Sequence, residues 1–118
     1  MLKAFTDRVK ERTIGIVDDS RSLRDALAFY YSDVRGFTVV CYSSFHSVKD
    51  WNSCSLWILD NDTGERMKGQ EVARRVPNSI VYTGDNNIDD DIRAQGRYID
   101  KMDTEGLEEF IMRFFDGK

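Results

Sequence analysis

The chain has 118 residues, a length that fits one domain able to bury about two thirds of the surface that its unfolded chain would expose. Its 21 acidic residues outnumber its 17 Lys and Arg residues, which gives a net charge of −4 at pH 7. Because no block of basic residues occurs, we expect neither nucleic acid nor an anionic membrane surface as a partner.

The first 11 residues are predicted to form an N-terminal extension, and residues 12 to 118 are predicted to form the domain. The start, "MLKAFTDRVKERT", is charged throughout and lacks the apolar core of a signal peptide, and no later run approaches membrane-spanning length. We therefore expect a cytoplasmic protein. Leu2, Phe5 and Val9 would share one helical face, which could pack on the domain or hold a partner.

Five apolar runs predict β-strands: "TIGIV" (13–17), "FTVVCY" (37–42), "SLWIL" (55–59), "SIVYT" (79–83) and "RYI" (97–99). Helical periodicity follows the first strand and ends at Gly36, and it returns at about 45–51, 71–76 and 88–95. A last helix, capped by Asp103 or Thr104, carries an apolar stripe that includes Leu107 and Ile111. The third and fourth helices are predicted to be short. Strands that alternate with helices predict an α/β fold with a doubly wound, five-stranded parallel sheet.

Acidic residues follow the first and third predicted strands. In a sheet of order 2-1-3-4-5, ligands bind where the strand order reverses, at the carboxyl ends of strands one and three. The first strand ends in "IVDDS", with Asp18 and Asp19, and the third in "WILDNDTG", with Asp60 and Asp62. Asp18, Asp19 and Asp60 should therefore converge in one crevice. Crowded carboxylates suit Mg²⁺, which proteins usually bind together with a substrate phosphate.

Two further polar residues fall at the same predicted edge of the sheet. Thr83 closes the fourth strand, and Lys101 follows the fifth. A Lys and a Thr can bond phosphoryl oxygens, while a carboxylate can accept the group itself. Taken singly, each of these residues has an ordinary structural role as a cap, a strand former or a solvated charge. Their combination on one edge favours a site for phosphoryl chemistry.

At this point the sequence resembles the receiver domains of bacterial two-component response regulators, over about residues 12 to 116. The resemblance rests on "IVDDS", "WILDNDTG", "IVYTG" and "YIDKMD". It implies a flavodoxin-like fold in which Asp60 is the phosphoacceptor, Asp19 is a direct Mg²⁺ ligand and Asp18 is a ligand through water. The backbone carbonyl of Asp62 would be the third protein ligand.

The same resemblance assigns the remaining site residues and the function. Thr83 and Lys101 would engage the phosphoryl oxygens, and Thr83 and Tyr98 would form the switch. The chain would be a single-domain response regulator, a phosphoprotein and not an enzyme. It would receive its phosphoryl group from a histidine kinase or a phosphotransfer protein, and it would act by binding an unidentified output protein. A homodimer is compatible with the resemblance.

The sequence also departs from the receiver pattern. The usual "MPxxxG" after the phosphoacceptor strand is rewritten as "TGERMKG", and Met102 replaces the usual Pro. Only residues 84 to 96 separate the fourth and fifth strands, which is close to the minimum for a parallel connection. The fourth helix should therefore be stunted.

Two alternatives remain open from the sequence. The altered loop is compatible with a receiver-like module that binds a partner without phosphorylation. "LDNDTG" also partly resembles the nucleophile motif of haloacid-dehalogenase-type phosphatases, but Gly64 stands where that motif has Thr, and Thr63 comes one position early.

The cysteines and the only histidine do not form a recognisable metal motif. Cys41 and Cys54 lie beside apolar segments, which predicts buried, reduced thiols. His46 follows the second strand, away from the acidic crevice, and is expected at the surface or in a cap.

Overall fold

The computed structural model describes residues 12–116, so the predicted extension with Leu2, Phe5 and Val9 lies outside the described residues. The strands are β1 (Thr13–Val17), β2 (Thr38–Tyr42), β3 (Leu56–Leu59), β4 (Ser79–Thr83) and β5 (Tyr98–Asp100). The α-helices are α1 (Arg21–Phe29), α2 (Gly69–Arg75), α3 (Asp90–Ala94) and α4 (Thr104–Asp116). No helix in this part of the chain is both long and apolar enough to span a membrane.

The five strands form one parallel sheet of order β2-β1-β3-β4-β5, as predicted. Every residue of β1, β3 and β4 is buried, whereas the edge strands β2 and β5 are partly exposed. This pattern explains the near-continuous apolar runs of the sequence, because a central parallel strand is covered on both faces.

The core has one layer on each face of the sheet. On one face, residues of α1 and α4, including Leu107 and Ile111, pack against Ile14 and Ile16. On the other face, α2 and α3 cover Trp57 and its neighbours. The two layers hold the strand ends rigidly, which is what a site built at the sheet edge requires.

The predicted stop of the first helical segment at Gly36 is confirmed, although the segment changes from α-helix to π-helix before it. The Ser20 hydroxyl accepts a hydrogen bond from the backbone N–H of Leu23 at 3.4 Å, an N-cap contact. After Phe29 the helix widens into a π-helical turn, Tyr30–Val34, and Gly36 then reverses the chain at φ +80°. A left-handed residue at a helix end favours glycine, which lacks a Cβ.

The prediction of a helix at about 45–51 is wrong. The segment forms two short 3₁₀ turns, Phe45–Ser47 and Trp51–Ser53, which are separated by extended backbone at Val48. Its polar groups are satisfied locally, because the Asp50 carboxylate accepts a bond from Asn52 N at 2.9 Å. Short polar side chains that bond nearby backbone in this way compete with helix formation.

The remaining helices have the lengths that the sequence suggested. α2 spans seven residues and α3 spans five, so both are short. α4 is the longest at 13 residues, and its first turn is capped by Asp103, whose Oδ1 accepts a bond from Gly106 N at 2.9 Å. The cap is therefore Asp103 rather than Thr104.

The prediction of two buried thiols is only half right. Both cysteines are free, but Cys54 is buried whereas Cys41 is exposed. Cys41 lies on β2, an edge strand with no neighbouring strand on its outer side, so this strand is less covered than the central ones. His46 is exposed, as predicted, and Trp57 is fully buried in the sheet core.

Candidate functional site

Three carboxylates meet where β1 and β3 end. Val17 pairs with Leu59 in the parallel register, and Asp60 N donates to Val17 O at 2.9 Å, so the residues that follow the two strands are neighbours. One oxygen from each of Asp18, Asp19 and Asp60 lies within 4.8 Å of the other two. The structure thus brings these three side chains together at the carboxyl edge of the sheet.

Asp60 lies at the bottom of this cluster and is held from two sides. Its side chain is buried, its Oδ1 accepts a bond from the Thr83 hydroxyl at 2.7 Å, and its Oδ2 lies 3.4 Å from Lys101 Nζ. Burial raises the pKa of Asp60, the Thr83 bond opposes this rise, and the nearby charge of Asp18 adds to it. Asp60 is therefore an oriented, poorly solvated carboxylate.

Asp18 is fixed by three contacts. Its Oδ1 accepts a bond from Ser20 N at 2.9 Å, its Oδ2 lies 2.9 Å from Lys101 Nζ, and its carbonyl accepts a bond from Arg24 Nη1 at 2.7 Å. Asp19, in contrast, is exposed. The cluster therefore has a rigid inner acid and an outer acid that faces solvent.

Lys101 bridges the two inner acids. Burial alone would lower the pKa of Lys101, but its bonds and its charge attraction to Asp18 and Asp60 raise it above the ordinary value. A positive charge is thus already stabilised in the crevice. The donor set consists of carboxylate oxygens and is open to water on the Asp19 side, which fits a hard divalent cation such as Mg²⁺.

Asp62, the fourth predicted metal residue, behaves differently. Its carboxylate accepts a bond from Gly64 N at 2.9 Å and lies 3.3 Å from Lys68 Nζ, so it is engaged within its own loop. The Gly64 N–H and the Lys68 ammonium hold the pKa of Asp62 below its usual value. Asp62 is exposed, and its proposed role through the backbone carbonyl stays a prediction.

Tyr98, the predicted switch aromatic, begins β5 and is partly exposed. Its hydroxyl lies 3.2 Å from Asp100 Oδ2, and the Arg93 guanidinium stands 4.8 Å from the centre of its ring. Thr83 and Tyr98 lie on adjacent strands, since Val81 pairs with Tyr98. Their role as a switch stays a prediction.

A polar network that sequence reasoning missed extends from the site. Asn61 is almost fully buried, its Nδ2 donates to Asp85 Oδ2 at 2.9 Å, and its Oδ1 accepts a bond from Gln70 N at 3.0 Å. Asp85 N in turn donates to the Thr83 hydroxyl at 3.2 Å. The only signal in the sequence was a polar residue placed between two acids at a strand end.

Gly69 allows the start of α2 to touch the backbone that follows β3. A Cβ at this position would lie 2.1 Å from the backbone oxygen of Asp60, which no real side chain tolerates. Gly69 N donates to Asn61 O at 2.9 Å. The rewritten loop, "TGERMKG", therefore ends at a glycine that the close approach of two backbones requires.

No known protein-family model matches the chain, and no curated protein matches it. Solved structures do match. A response regulator receiver protein from Pseudoalteromonas atlantica is 19% identical with a TM-score of 0.68, and the match covers 89% of this chain and 98% of that one. Response regulator TrrA from Thermotoga maritima, solved with Mg²⁺ and BeF, is 20% identical with a TM-score of 0.66 over 87% of this chain and 98% of that one. A structure described as an adenylate cyclase from Rhodopirellula baltica is 22% identical with a TM-score of 0.64 over 89% of this chain and 87% of that one. The chain therefore has the flavodoxin-like fold of the response regulator receivers.

Proposed function

We propose that the chain accepts a phosphoryl group on Asp60 in two-component signal transduction. One observation carries this proposal: a buried carboxylate whose two oxygens face a hydroxyl and an ammonium, beside two further acids. These are the groups that phosphoryl transfer needs, namely a nucleophile, donors for the phosphoryl oxygens and a place for a cation. The receiver fold supports the same function.

Asp60 is the best nucleophile of the three acids. The Asp18 carboxylate already bonds Ser20 N and pairs with Lys101, and Asp19 is exposed to solvent. Burial of Asp60 means that little water has to be displaced from its oxygens before it attacks.

In the proposed step, an Asp60 oxygen attacks the phosphorus of a phosphohistidine. A P–O bond forms, the P–N bond breaks, and the imidazole keeps the electron pair of that bond and takes up a proton from solvent. The Thr83 hydroxyl and the Lys101 ammonium, which contact Asp60 in the present structure, would then bond the phosphoryl oxygens. A Mg²⁺ ion held by Asp18, Asp19 and Asp60 would offset negative charge on those oxygens.

The proposed donor is a histidine kinase or a phosphotransfer protein, and the proposed output is a change in the protein that the chain binds. Thr83 and Tyr98 are the candidates for transmitting the change, since they lie on adjacent strands and Thr83 bonds Asp60. In this proposal the chain is a signalling protein that does not act as an enzyme on free substrates.

Intact-mass measurement with acetyl phosphate and Mg²⁺ tests the acceptor directly. The wild type should gain one phosphoryl group, and Asp60→Asn should gain none. Asp62→Asn is the matched control, because it removes an equal charge two residues away and should still be phosphorylated. An adduct on Asp60→Asn would refute Asp60 as the acceptor. No adduct on the wild type, with either acetyl phosphate or beryllofluoride, would instead support a binding-only module.

A second measurement separates a receiver from a phosphatase. The wild type should release no more than one equivalent of product from an aryl phosphate. Repeated turnovers that disappear in Asp60→Asn would show that the chain is an enzyme of the phosphatase class.

A further inference from the structure

A cavity of about 580 Å³ lies between the two 3₁₀ turns and α2, on the face of the sheet away from α1 and α4. The segment between β2 and β3, with its 3₁₀ turns Phe45–Ser47 and Trp51–Ser53, forms one wall of it. Its volume is within the range of roughly 300 to 1,000 Å³ that small-molecule sites occupy.

The walls of this cavity are apolar and firmly held. Phe45, Val48 and Val72 are buried, and Trp51 and Met67 are partly exposed. The Trp51 ring packs against Trp57, with the ring centroids 4.5 Å apart, and Trp57 Nε1 donates to Trp51 O at 2.9 Å. A ligand would therefore meet a largely pre-formed surface, which limits the entropy cost of binding.

Three polar residues complete the lining, and one of them is already satisfied. The Glu65 carboxylate accepts bonds from Phe45 N at 2.7 Å, His46 N at 3.1 Å and the Thr63 hydroxyl at 2.5 Å. Its oxygens are used to hold the first 3₁₀ turn, so Glu65 has little capacity left to bond a ligand.

Arg75 is the charged group at the cavity that remains available. Arg75 is exposed, and its guanidinium makes no hydrogen bond or ion pair with any residue among 12–116. The guanidinium of its neighbour Arg74, in contrast, bonds Asp91 Oδ2 at 2.9 Å and Asp89 Oδ2 at 2.6 Å. A guanidinium with free donors above an apolar cavity matches a planar carboxylate.

We propose that this cavity binds a small aromatic carboxylate, with the ring against Trp51 and Val72 and the carboxylate paired with Arg75. The site is separate from Asp60 and does not depend on phosphorylation. Two of its lining residues, Glu65 and Met67, belong to the loop between Asp60 and α2, so occupancy would also restrict that loop.

Phenylacetate titrated into isotope-labelled, full-length protein tests the proposal. The chain has two tryptophans, Trp51 in the cavity wall and Trp57 packed against the Trp51 ring, so the Trp51 indole N–H resonance reports binding directly and that of Trp57 reports it through Trp51. We expect saturable shifts with a Kd on the order of 1 mM, as suits a ligand of this size. The cationic analogue phenethylamine should shift these resonances at least several-fold less.

Arg75→Gln and Arg74→Gln form a matched pair of neighbouring surface arginines. Arg75→Gln should weaken phenylacetate binding by about two- to fivefold, as expected for an exposed ion pair, while Arg74→Gln should leave it unchanged. Binding should persist in Asp60→Asn, so that failure of the phosphoryl-acceptor proposal would not affect this test.

Several results would overturn the proposal. These are the absence of saturable shifts, equal binding of phenethylamine, and equal effects of the two arginine substitutions. Indole shifts that depend on protein concentration would indicate a second copy as the occupant. Shifts caused by Phe5→Ser without ligand would indicate the N-terminal extension. Either result would mean that the small molecule is not the occupant of the cavity, and the proposal would fall.

Discussion

Asp19 and Asp62 are both exposed acids near the same crevice, but only Asp19 has an oxygen close to the other carboxylates. Asp62 is drawn into its own loop by Gly64 N and Lys68. Substitutions of these two residues can therefore distinguish a side chain that would bind a cation directly from one that only lies near it.

Substitution of these two acids should have unequal effects on Mg²⁺. Asp19→Asn should weaken Mg²⁺ binding more than about tenfold, because it removes a candidate ligand. Asp62→Asn should weaken it less than about threefold, since an exposed charge acts on the ion only through solvent. Calorimetric titration gives both constants. Equal weakening would show that Asp62 takes part in ligation.

Glu65 offers a test of pH dependence away from the acidic cluster of Asp18, Asp19 and Asp60. Burial would raise its pKa, but the hydrogen bonds from Thr63, Phe45 and His46 outweigh burial and hold the pKa of Glu65 below its usual 4.5. A carboxyl group whose pKa is lower in the folded state than in the unfolded chain stabilises the fold at pH values above its unfolded-state pKa. This stability is lost as the pH falls through its folded-state pKa.

Glu65→Gln should therefore lower the free energy of unfolding by about 1 kcal/mol at neutral pH, a value discounted because the group is partly solvated. The difference from the wild type should shrink below pH 4.5 as the wild-type carboxyl becomes protonated. Denaturant unfolding at several pH values measures this. Asp33→Asn, at an exposed acid, is the control and should have little effect at any pH. A difference that does not change with pH would exclude the charge of Glu65 as the cause.

The residues of the site that could be predicted from the sequence are those that end a strand or directly follow one. Asp18, Asp60 and Thr83 could be placed at one edge because parallel strands end together. Asn61 and Gln70 could not be linked in this way, since their contact depends on the path of a loop whose sequence departs from the receiver pattern. Apolar runs in the sequence therefore predict where strands end, but they do not predict how an irregular loop folds back.

At the level of elements, strands were easier to predict than helices. The five apolar runs are long enough to be distinctive, and each became a strand within one residue of its predicted bounds. The segment at 45–51 has apolar residues only at Phe45, Val48 and Trp51, a spacing of three that suits 3₁₀ geometry better than an α-helix. Glu65, distant in sequence, then stabilises the first turn from outside.

The shortest helix, α3, depends on contacts with α2. Gln70 Oε1 accepts a bond from Asp89 N at 2.9 Å, and Arg74 bonds the carboxylates of Asp89 and Asp91. Five residues are too few for a stable helix in isolation, so the position of α3 is set by α2 rather than by its own propensity.

Gln70→Ala should therefore loosen α3 locally. Loss of the partner of Asp89 N should increase amide exchange in residues 87 to 94 by about five- to thirtyfold, which corresponds to about 1 to 2 kcal/mol. Exchange in β1 should not change. Arg75→Ala, at an exposed residue of the same helix, serves as the control. Uniform acceleration over the whole sheet would instead mean that Gln70 supports global stability.

For the molecule as a whole, cation binding and folding should be linked. The acidic cluster is assembled from β1 and β3, whose ends separate when the sheet unfolds, so the unfolded chain should bind Mg²⁺ only weakly. Mg²⁺ at about ten times its Kd should add about 1.4 kcal/mol to the free energy of unfolding. The unfolding midpoint should rise by roughly 4 to 8 °C.

Thermal unfolding at constant ionic strength measures this increase. In Asp19→Asn, most of the rise in the unfolding midpoint should be lost at the same Mg²⁺ concentration. An equal rise in both proteins would trace the stabilisation to general screening of the net negative charge.

The bridge formed by Lys101 has an electrostatic consequence for recognition. When all three carboxylates are ionised, they and the single ammonium leave the crevice with two units of negative charge, which one divalent cation balances. Conversion of a carboxylate into an acyl phosphate adds up to one further negative unit. The modified crevice would then hold one negative charge more than Lys101 and a single divalent cation balance. A protein that prefers the phosphorylated form should therefore bring its own Arg or Lys to this edge, and its association should weaken as salt is added.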